Sequence, residues 1–208
     1  MIEAWLWATP NSNRVSILLE ELGLTYAVRP VNIRKREQFA PEVLALNPYG
    51  KIPIVVLDGP DGRQVLFESG AILLHLAETH GRFLPQEPAA KAEVLTWLML
   101  VMTGLGPMMG QAHHWTALAP DKPKVAIDHS VNAVIRACNV IEARLATSRY
   151  LCTEYSIADI AAFPWLARLD WAGLDLGTFP HIRRWHHEIG ARPAVQRGMA
   201  MPIGAKLE

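Results

Sequence analysis

The chain has 208 residues, and 20 Lys+Arg face 20 Asp+Glu, so the formal net charge is zero. That balance excludes a nucleic-acid binder, which needs a basic patch to displace counterions from phosphate, and it excludes a polybasic membrane anchor. Hydrophobic residues make up 50% and charged residues 19%, which excludes a disordered chain and leaves room for one large or two small domains.

The first eighty residues alternate short strand-like and helix-like pieces. Ile2 to Trp7 is short, apolar and aromatic and predicts a strand. Ser12 to Leu22 places Val15, Leu18, Leu19 and Leu22 at helical spacing, and Gly23 ends the helix. Tyr26 to Ile33 predicts a second strand, Pro41 to Leu46 one or two helical turns, and Pro53 to Leu57 a third strand. Asp58-Gly59-Pro60-Asp61-Gly62 is a turn cluster that joins the third strand to a fourth, Gln64 to Phe67, as a hairpin. Ser69 to His80 is a helix closed by Gly81. The order is β-α-β-α-β-β-α. Strand–helix–strand implies a right-handed crossover with parallel pairing, and the hairpin adds an antiparallel edge. The expected architecture is an α/β domain with a mixed four-stranded sheet at residues 1–81, a proline-bearing linker at 82–88, and an all-helical domain at 89–208.

The second half predicts helices at 89–118, 121–147, 157–171, 180–190 and 193–200. The first should be broken or bent at Gly104-Leu105-Gly106-Pro107, because proline removes a donor and clashes with the preceding turn. Val94 to Pro120 carries no formal charge, but its glycines, Pro107, Gln111 and two histidines favour a buried or subunit-interface helix over a membrane span. Ser156 with Asp159 three residues later predicts a capping box, and Tyr155 with Ile160 a hydrophobic staple.

Cys138 and Cys152 form no C-x-x-C pair, so neither a disulfide scaffold, a dithiol nor a thiolate metal site is expected. Cys138 lies mid-helix and predicts a buried small hydrophobe. Cys152 falls on a loop where oxidation is open to it, with nothing nearby to activate it. Met1 to Trp5 carries an acid and no basic stretch, so no signal peptide is expected and the cytoplasm is the expected compartment. His113-His114 and His186-His187 are adjacent pairs rather than the i, i+4 pair of a zinc helix, so no metal is expected.

Three segments carry candidate chemistry. Asn47 to Pro53 leads into the third strand. A cis bond before Pro53 would turn the backbone N–H and C=O of Ile52 outward, ready to pair with an extended peptide, and a plain turn fits these residues equally well. Glu68-Ser69-Gly70 opens a helix whose first N–H groups suit a carboxylate, with Ser69 as a further donor and Glu68 as an ammonium acceptor; ordinary capping by Ser69 is the alternative. Thr9 to Arg14 sits where the first strand meets the first helix. A thiol of pKa ~8.5 must drop by ~2 units, about 2.7 kcal/mol, to be mainly thiolate at neutral pH. A helix N-terminus contributes ~0.3–1 kcal/mol, and a hydrogen bond to a charged acceptor ~1.5–3 kcal/mol. One hydroxyl or amide donor plus the helix end therefore suffices near Thr9 and Asn11. A simple cap by Ser12 or Asn11 is compatible with that role.

Taken together, Asn47 to Pro53, Glu68 to Leu73 and the helical half with Tyr155-Ser156-Ile157-Ala158-Asp159 resemble the glutathione transferase superfamily over essentially the whole chain. Thr9-Pro10-Asn11, Leu105-Gly106-Pro107-Met108 and Gly110 to His114 resemble its bacterial nu class, whose members are similar to glutathione-dependent disulfide-bond reductases. The resemblance implies a thioredoxin-like N-terminal domain, an all-α C-terminal domain, a homodimer, and glutathione as co-substrate. It implies that Thr9 and Asn11 contact the glutathione sulfur and that Ile52, beside a cis Pro53, pairs with the cysteinyl backbone. It further implies that Glu68 and Ser69 hold the γ-glutamyl end, and that Gln38, with Lys51, reaches the glycyl carboxylate. With no protein dithiol, a second glutathione would resolve the mixed disulfide. Where the class carries an arginine for that second molecule this chain has His129, a weaker carboxylate partner. Leu151 to Glu154 also departs, lacking the usual glycines.

The resemblance implies reduction of small disulfides. Conjugation, peroxidase or isomerase chemistry on an electrophile shares every glutathione contact, and a non-catalytic regulatory dimer would have no need of the full ligand set. Trp97, Met99, Met102, Met108, Met109 and Trp115 would line an apolar co-substrate pocket or pack the helical core and dimer interface. Small-molecule thiols, disulfides or electrophiles are the expected partners, with no nucleic acid and no membrane.

Overall fold

The computed structural model describes residues 1–60 and 62–205. Asp61 of the expected turn and residues 206–208 of the expected helical domain lie outside the described residues. Two compact units are present, one of Met1–His80 with the segment from Arg192 onward, the other of Gly81–Ala191.

In the first unit β1 (Ile2–Leu6), β2 (Ala27–Pro30), β3 (Ile54–Gly59) and β4 (Gly62–Phe67) form one sheet in the order β2-β1-β3-β4. β1 runs parallel to β2 and antiparallel to β3, and β3 and β4 form the hairpin. The β-branched run Ile54-Val55-Val56 is buried on both faces, as a central strand flanked by packed layers requires. β2 is shorter than expected. Pro30 lacks a ladder donor, and Asn32 Oδ1 accepts from the N–H groups of Arg34 and Lys35, which turns the chain into a 3₁₀ turn at Ile33–Lys35. A second such turn at Glu37–Phe39 leads to α2 (Pro41–Leu44), which drops Val43 into a cluster with Val31 and Ile54.

α1 (Pro10–Leu22) begins two residues earlier than its apolar periodicity indicates. Thr9, not Ser12 or Asn11, is the N-cap, and Pro10 occupies the first turn where no donor is needed. α3 (Ser69–His80) also packs on α1. α9 (Pro193–Met199) lies against α1 so closely that a Cβ on Gly198 would sit 2.5 Å from Ile17 Cα. Ser16 Oγ donates to Gly198 O at 2.6 Å, Asn13 Nδ2 to Gly198 O at 3.3 Å, and Arg192 makes a two-pronged ion pair with the buried Glu21. The expected helical domain ran to residue 208; by contacts its last helix, α9, groups with the sheet unit, where it covers α1.

The second unit contains α4 (Pro88–Met99), α5 (Gly106–His113), α6 (Lys124–Thr147), α7 (Ile157–Leu166) and α8 (Pro180–Gly190). The expected linker belongs to it. Leu84 is buried, and Phe83 O accepts from Ile157 N at 3.0 Å. The α-helical pattern is interrupted where expected, by a π-helical stretch at Leu100–Leu105 just before Pro107, without the chain leaving helical form; a second π stretch at His114–Leu118 extends the run, which buries Val94, Leu98, Val101, Leu105 and Met109. This run is long and apolar enough to cross a membrane, and it packs against α6 and α7. α7 starts in the capping box read from sequence and ends earlier than expected, near its internal Pro164, with a 3₁₀ turn at Leu169–Ala172 beyond it. Asp159 accepts from the N–H groups of Leu151 and Ser156 and from Trp185 Nε1 at 2.8–3.1 Å, tying α7 to α8.

Gly198→Ala is expected to lower unfolding free energy by about 3 kcal/mol in chemical denaturation, since its Cβ meets backbone that cannot yield. A second expectation concerns acid. His186 stacks on Phe163 with centroids 4.8 Å apart, and burial, then the neighbouring His187, holds its pKa below the ordinary 6.5. The unfolded state therefore binds the proton more readily. This stability is present above pH 6.5 and is lost as pH falls through that value and on toward the folded pKa, so thermal melting should decline on acidification below 6.5. His186→Phe should show a smaller decline.

Candidate functional site

The sheet register gathers the expected ligand residues at one end. Ile54 pairs with both Trp5 and Phe67. Thr9, which follows β1, Pro53, which precedes β3, and Glu68, which follows β4, therefore lie beyond the same edge. The N-termini of α1 and α3 open there too. The Ile52–Pro53 peptide is cis, and the β3 ladder begins at Ile54, which leaves the Ile52 backbone outside it.

A polar network connects the two helix starts. Thr9 Oγ1 accepts from Ser12 N at 3.2 Å and pairs with Ser12 Oγ at 3.1 Å, while Ser12 Oγ accepts from Trp7 N at 3.3 Å. Arg14 is 1% exposed. Its Nη1 donates to Asn11 Oδ1 at 2.9 Å and to Ser69 Oγ at 3.1 Å. Burial pulls the guanidinium down to about 9, opposed by the Glu68 carboxylate, so it remains charged at neutral pH. Glu68 itself is exposed at φ +67, a left-handed conformation that costs an L-residue about 1–2 kcal/mol. It directs an acid into solvent immediately before the donors of α3.

Gln38 sits in the 3₁₀ turn at Glu37–Phe39 with its Oε1 buried and without a hydrogen-bond partner. Lys51 is exposed, its Nζ 3.1 Å from the Tyr49 hydroxyl and 4.3 Å from the centre of the Tyr49 ring.

In the second unit, exposed His129 lines a cavity of about 540 Å³ with Met108, Gln111, Trp115, Val125 and Ser130. Of the apolar residues considered for a co-substrate pocket, Met108 and Trp115 line it. Met109 is core, Met99 is half-exposed, and Trp97 lies under Arg144. His113 stacks on Trp171 at 4.1 Å. Among the described residues no group of three His, Cys, Asp or Glu is placed to hold a metal. Both thiols are inaccessible, Cys138 at 0% and Cys152 at 2% exposure, and burial pushes each up to about 12. The loop position of Cys152 therefore does not expose it.

Residues 8–79 match the glutathione S-transferase N-terminal domain family and residues 96–193 the C-terminal domain family. The chain belongs to the glutathione transferase family. It is 41% identical to the disulfide-bond oxidoreductase YfcG of Escherichia coli K12 over 96% of this chain and 94% of that protein. A glutathione transferase of Burkholderia graminis, crystallised with two glutathione molecules per subunit, superposes with a TM-score of 0.91 at 38% identity, covering 98% of this chain and 89% of that one. A Pseudomonas putida glutathione transferase, with one glutathione disulfide per subunit, also gives 0.91 at 38% identity, covering 97% and 91%.

Two residues of this glutathione transferase escaped the sequence reading. Ser12 reads as a helix cap and is instead a buried partner of Thr9. Arg14 entered only as the end of the Thr9–Arg14 segment, and nothing in the local sequence marks it as buried or as a partner of Ser69.

The burial of both thiols predicts that iodoacetamide labels Cys138 and Cys152 only when the protein unfolds, read by mass spectrometry across a denaturant series. Cys152→Ala should retain the turnover of the parent protein.

Proposed function

We propose that the chain is a glutathione-dependent disulfide reductase in which Thr9 and Asn11 stabilise the thiolate of bound glutathione. The observation that carries this reading is the convergence of two helix N-termini, capped by Thr9 and opened by Ser69, on one end of the sheet. Its support among relatives is the disulfide-bond oxidoreductase at 41% identity and the solved structures with glutathione or its disulfide bound.

The binding mode follows the chemistry of each group. The α3 N–H groups and the Ser69 hydroxyl take the γ-glutamyl carboxylate, and Glu68 takes its ammonium. The backbone of Ile52, next to Pro53, pairs with the cysteinyl residue as an added strand. Gln38 and Lys51 serve the glycyl carboxylate. The cysteinyl sulfur then lies at the α1 N-terminus, where the helix end and the Thr9 and Asn11 donors favour the anion.

The bound thiolate attacks one sulfur of a small disulfide. A mixed disulfide with glutathione forms and the other half leaves as a thiolate, which takes up a proton. A second glutathione thiolate attacks the glutathione sulfur of that mixed disulfide, giving oxidised glutathione and the second free thiol. Neither buried cysteine can supply this second nucleophile. We assign the cavity at His129 to the second thiol or the disulfide substrate, in a homodimeric cytoplasmic enzyme.

The apolar wall of that cavity, Met108, Trp115 and Val125, also favours a second reading: transfer of glutathione to an apolar electrophile. A panel of small disulfides and aromatic electrophiles separates the two, because both share every glutathione contact.

The double variant Thr9→Ala, Asn11→Ala should lose disulfide reduction by about thirtyfold at pH 7, as the thiol returns toward its free pKa of ~8.5. Circular dichroism should show the fold intact. Unchanged turnover would remove the assigned site. Glu68→Gln should raise KM for glutathione roughly tenfold with kcat little altered, as loss of ground-state binding requires.

A further inference from the structure

A second cavity, of about 370 Å³, lies wholly within the Gly81–Ala191 unit. Small-molecule sites run from ~300 to ~1,000 Å³, so it suits a small ligand. Three segments enclose it: Phe83 to Pro85, the start of α4, and Cys152 to Ser156. Ile157 N donates to Phe83 O at 3.0 Å and ties the first segment to the third. Phe83, at φ +65, sets its ring edge-to-face with Tyr155, centroids 5.7 Å apart. Leu84, Val94 and Cys152 are buried and form an apolar floor. Burial pushes the Cys152 thiol up to about 12, so it stays neutral and packs as a small hydrophobe.

The charge on the wall has one sign. Among the described residues that line the cavity, the charged ones are Glu93 and Glu154. Two helices start beside it, and a free helix N-terminus would draw an anion. Here those donors are taken. Ala89 N and Ala90 N, at the start of α4, donate to the Glu87 carboxylate at 2.9 and 2.7 Å. At the start of α7, Ile157 N serves Phe83 O and Ala158 N serves Ser156 Oγ. The Ser156 hydroxyl is spent on Asp159 at 3.3 Å. Neighbouring cations are committed too: Arg144 to Glu93 and the Leu151 carbonyl, Arg149 to Glu188, and Arg82 over the Phe83 ring at 4.8 Å. Glu154 stands exposed on the open side.

We propose that this cavity binds a small amphipathic amine, its apolar body against Phe83, Leu84 and Val94 and its ammonium directed to Glu154. An organic anion of the same shape meets two carboxylates and two helix starts whose donors are occupied. A neutral analogue keeps the floor and loses the ion pair. The site shares no residue with those assigned to glutathione and does not rest on that reading. Its occupant bridges the segment before α4 and the segment before α7, so binding stabilises the helical unit by mass action.

The test titrates the full chain, by calorimetry at neutral pH, with three ligands that differ only in their terminal group: tryptamine, the alcohol tryptophol and the acid indole-3-propionate. Tryptamine should bind about fivefold tighter than tryptophol, the worth of one exposed ion pair, and the acid more weakly than either. The preference for the amine should shrink in high salt. Glu154→Gln should abolish that preference and leave tryptophol affinity unchanged. Ala90→Leu, which narrows the cavity from the first turn of α4, should weaken amine and alcohol alike by about tenfold. Saturating S-methylglutathione should leave tryptamine affinity unchanged. Absence of tryptamine binding, equal affinity for amine and acid, or a Glu154→Gln protein that still prefers the amine overturns the proposal. So does tryptamine binding that survives Ala90→Leu unaltered or is displaced by S-methylglutathione, since either puts the ligand elsewhere. If Ala90→Leu does not fold, Thr153→Trp on the exposed loop obstructs the same opening and decides in its place.

Discussion

Helix α1 is enclosed on every side, and the requirement that its buried polar groups all find partners organises the sheet unit. Pro10 and every residue from Ser12 through Leu19 are buried. An apolar helix could meet that condition by packing alone. This one carries Ser12, Asn13, Arg14 and Ser16 inside, and each buried polar group left unpaired would cost about 1–3 kcal/mol. Ser12 is served by Trp7 and Thr9, Arg14 by Asn11 and Ser69, and Asn13 and Ser16 by carbonyls of the segment around Gly198. One end of the helix is thereby fastened to α3 and its body to α9. The same bonds that satisfy the interior fix the geometry at its mouth.

How much of this was legible depended on whether a residue declares itself locally. The parallel β1–β2 crossover, the β3–β4 hairpin and the mixed four-stranded sheet were legible from the element order, whereas the antiparallel pairing of β3 with β1 was not. Ser156 and Asp159 announced their capping box because both partners lie within one turn. Thr9, Ile52, Pro53, Glu68 and Ser69 could be picked out because each stands at a strand–helix or turn–strand junction. Arg14 could not, since its meaning lies in Ser69, 55 residues away. Pro107 marked the place of an irregularity but not its form. Local sterics predict a broken or bent helix, and the α-helical pattern does give way there, to a π-helical stretch just before Pro107 in which Gly106 N–H bonds to Val101 O. The last helix was assigned by its secondary structure, and only tertiary packing shows which unit it serves.

The two cysteines show where the reactive chemistry of this chain does not reside. Both are packed away with thiol pKa values pushed up to about 12, which makes them poor nucleophiles. On the function proposed above, the protein's own contribution is an arrangement of dipoles and donors around a borrowed thiol. Such an arrangement keeps no sulfur of its own in harm's way, so overoxidation of the reacting sulfur consumes a replaceable small molecule rather than the enzyme.

The closure of α1 by residues near 198 also has a meaning for synthesis. Asn13 and Gly198 are separated by 185 positions, and the whole helical unit is encoded between them. On the ribosome the residues of the sheet emerge before the helical unit, and the wall that covers α1 follows it. The intervening helices can therefore reach their native packing while the N-terminal segment still exposes Asn13, Ser16 and Ile17. Synthesis of α9, rather than emergence of the fourth strand, supplies the wall that covers these residues.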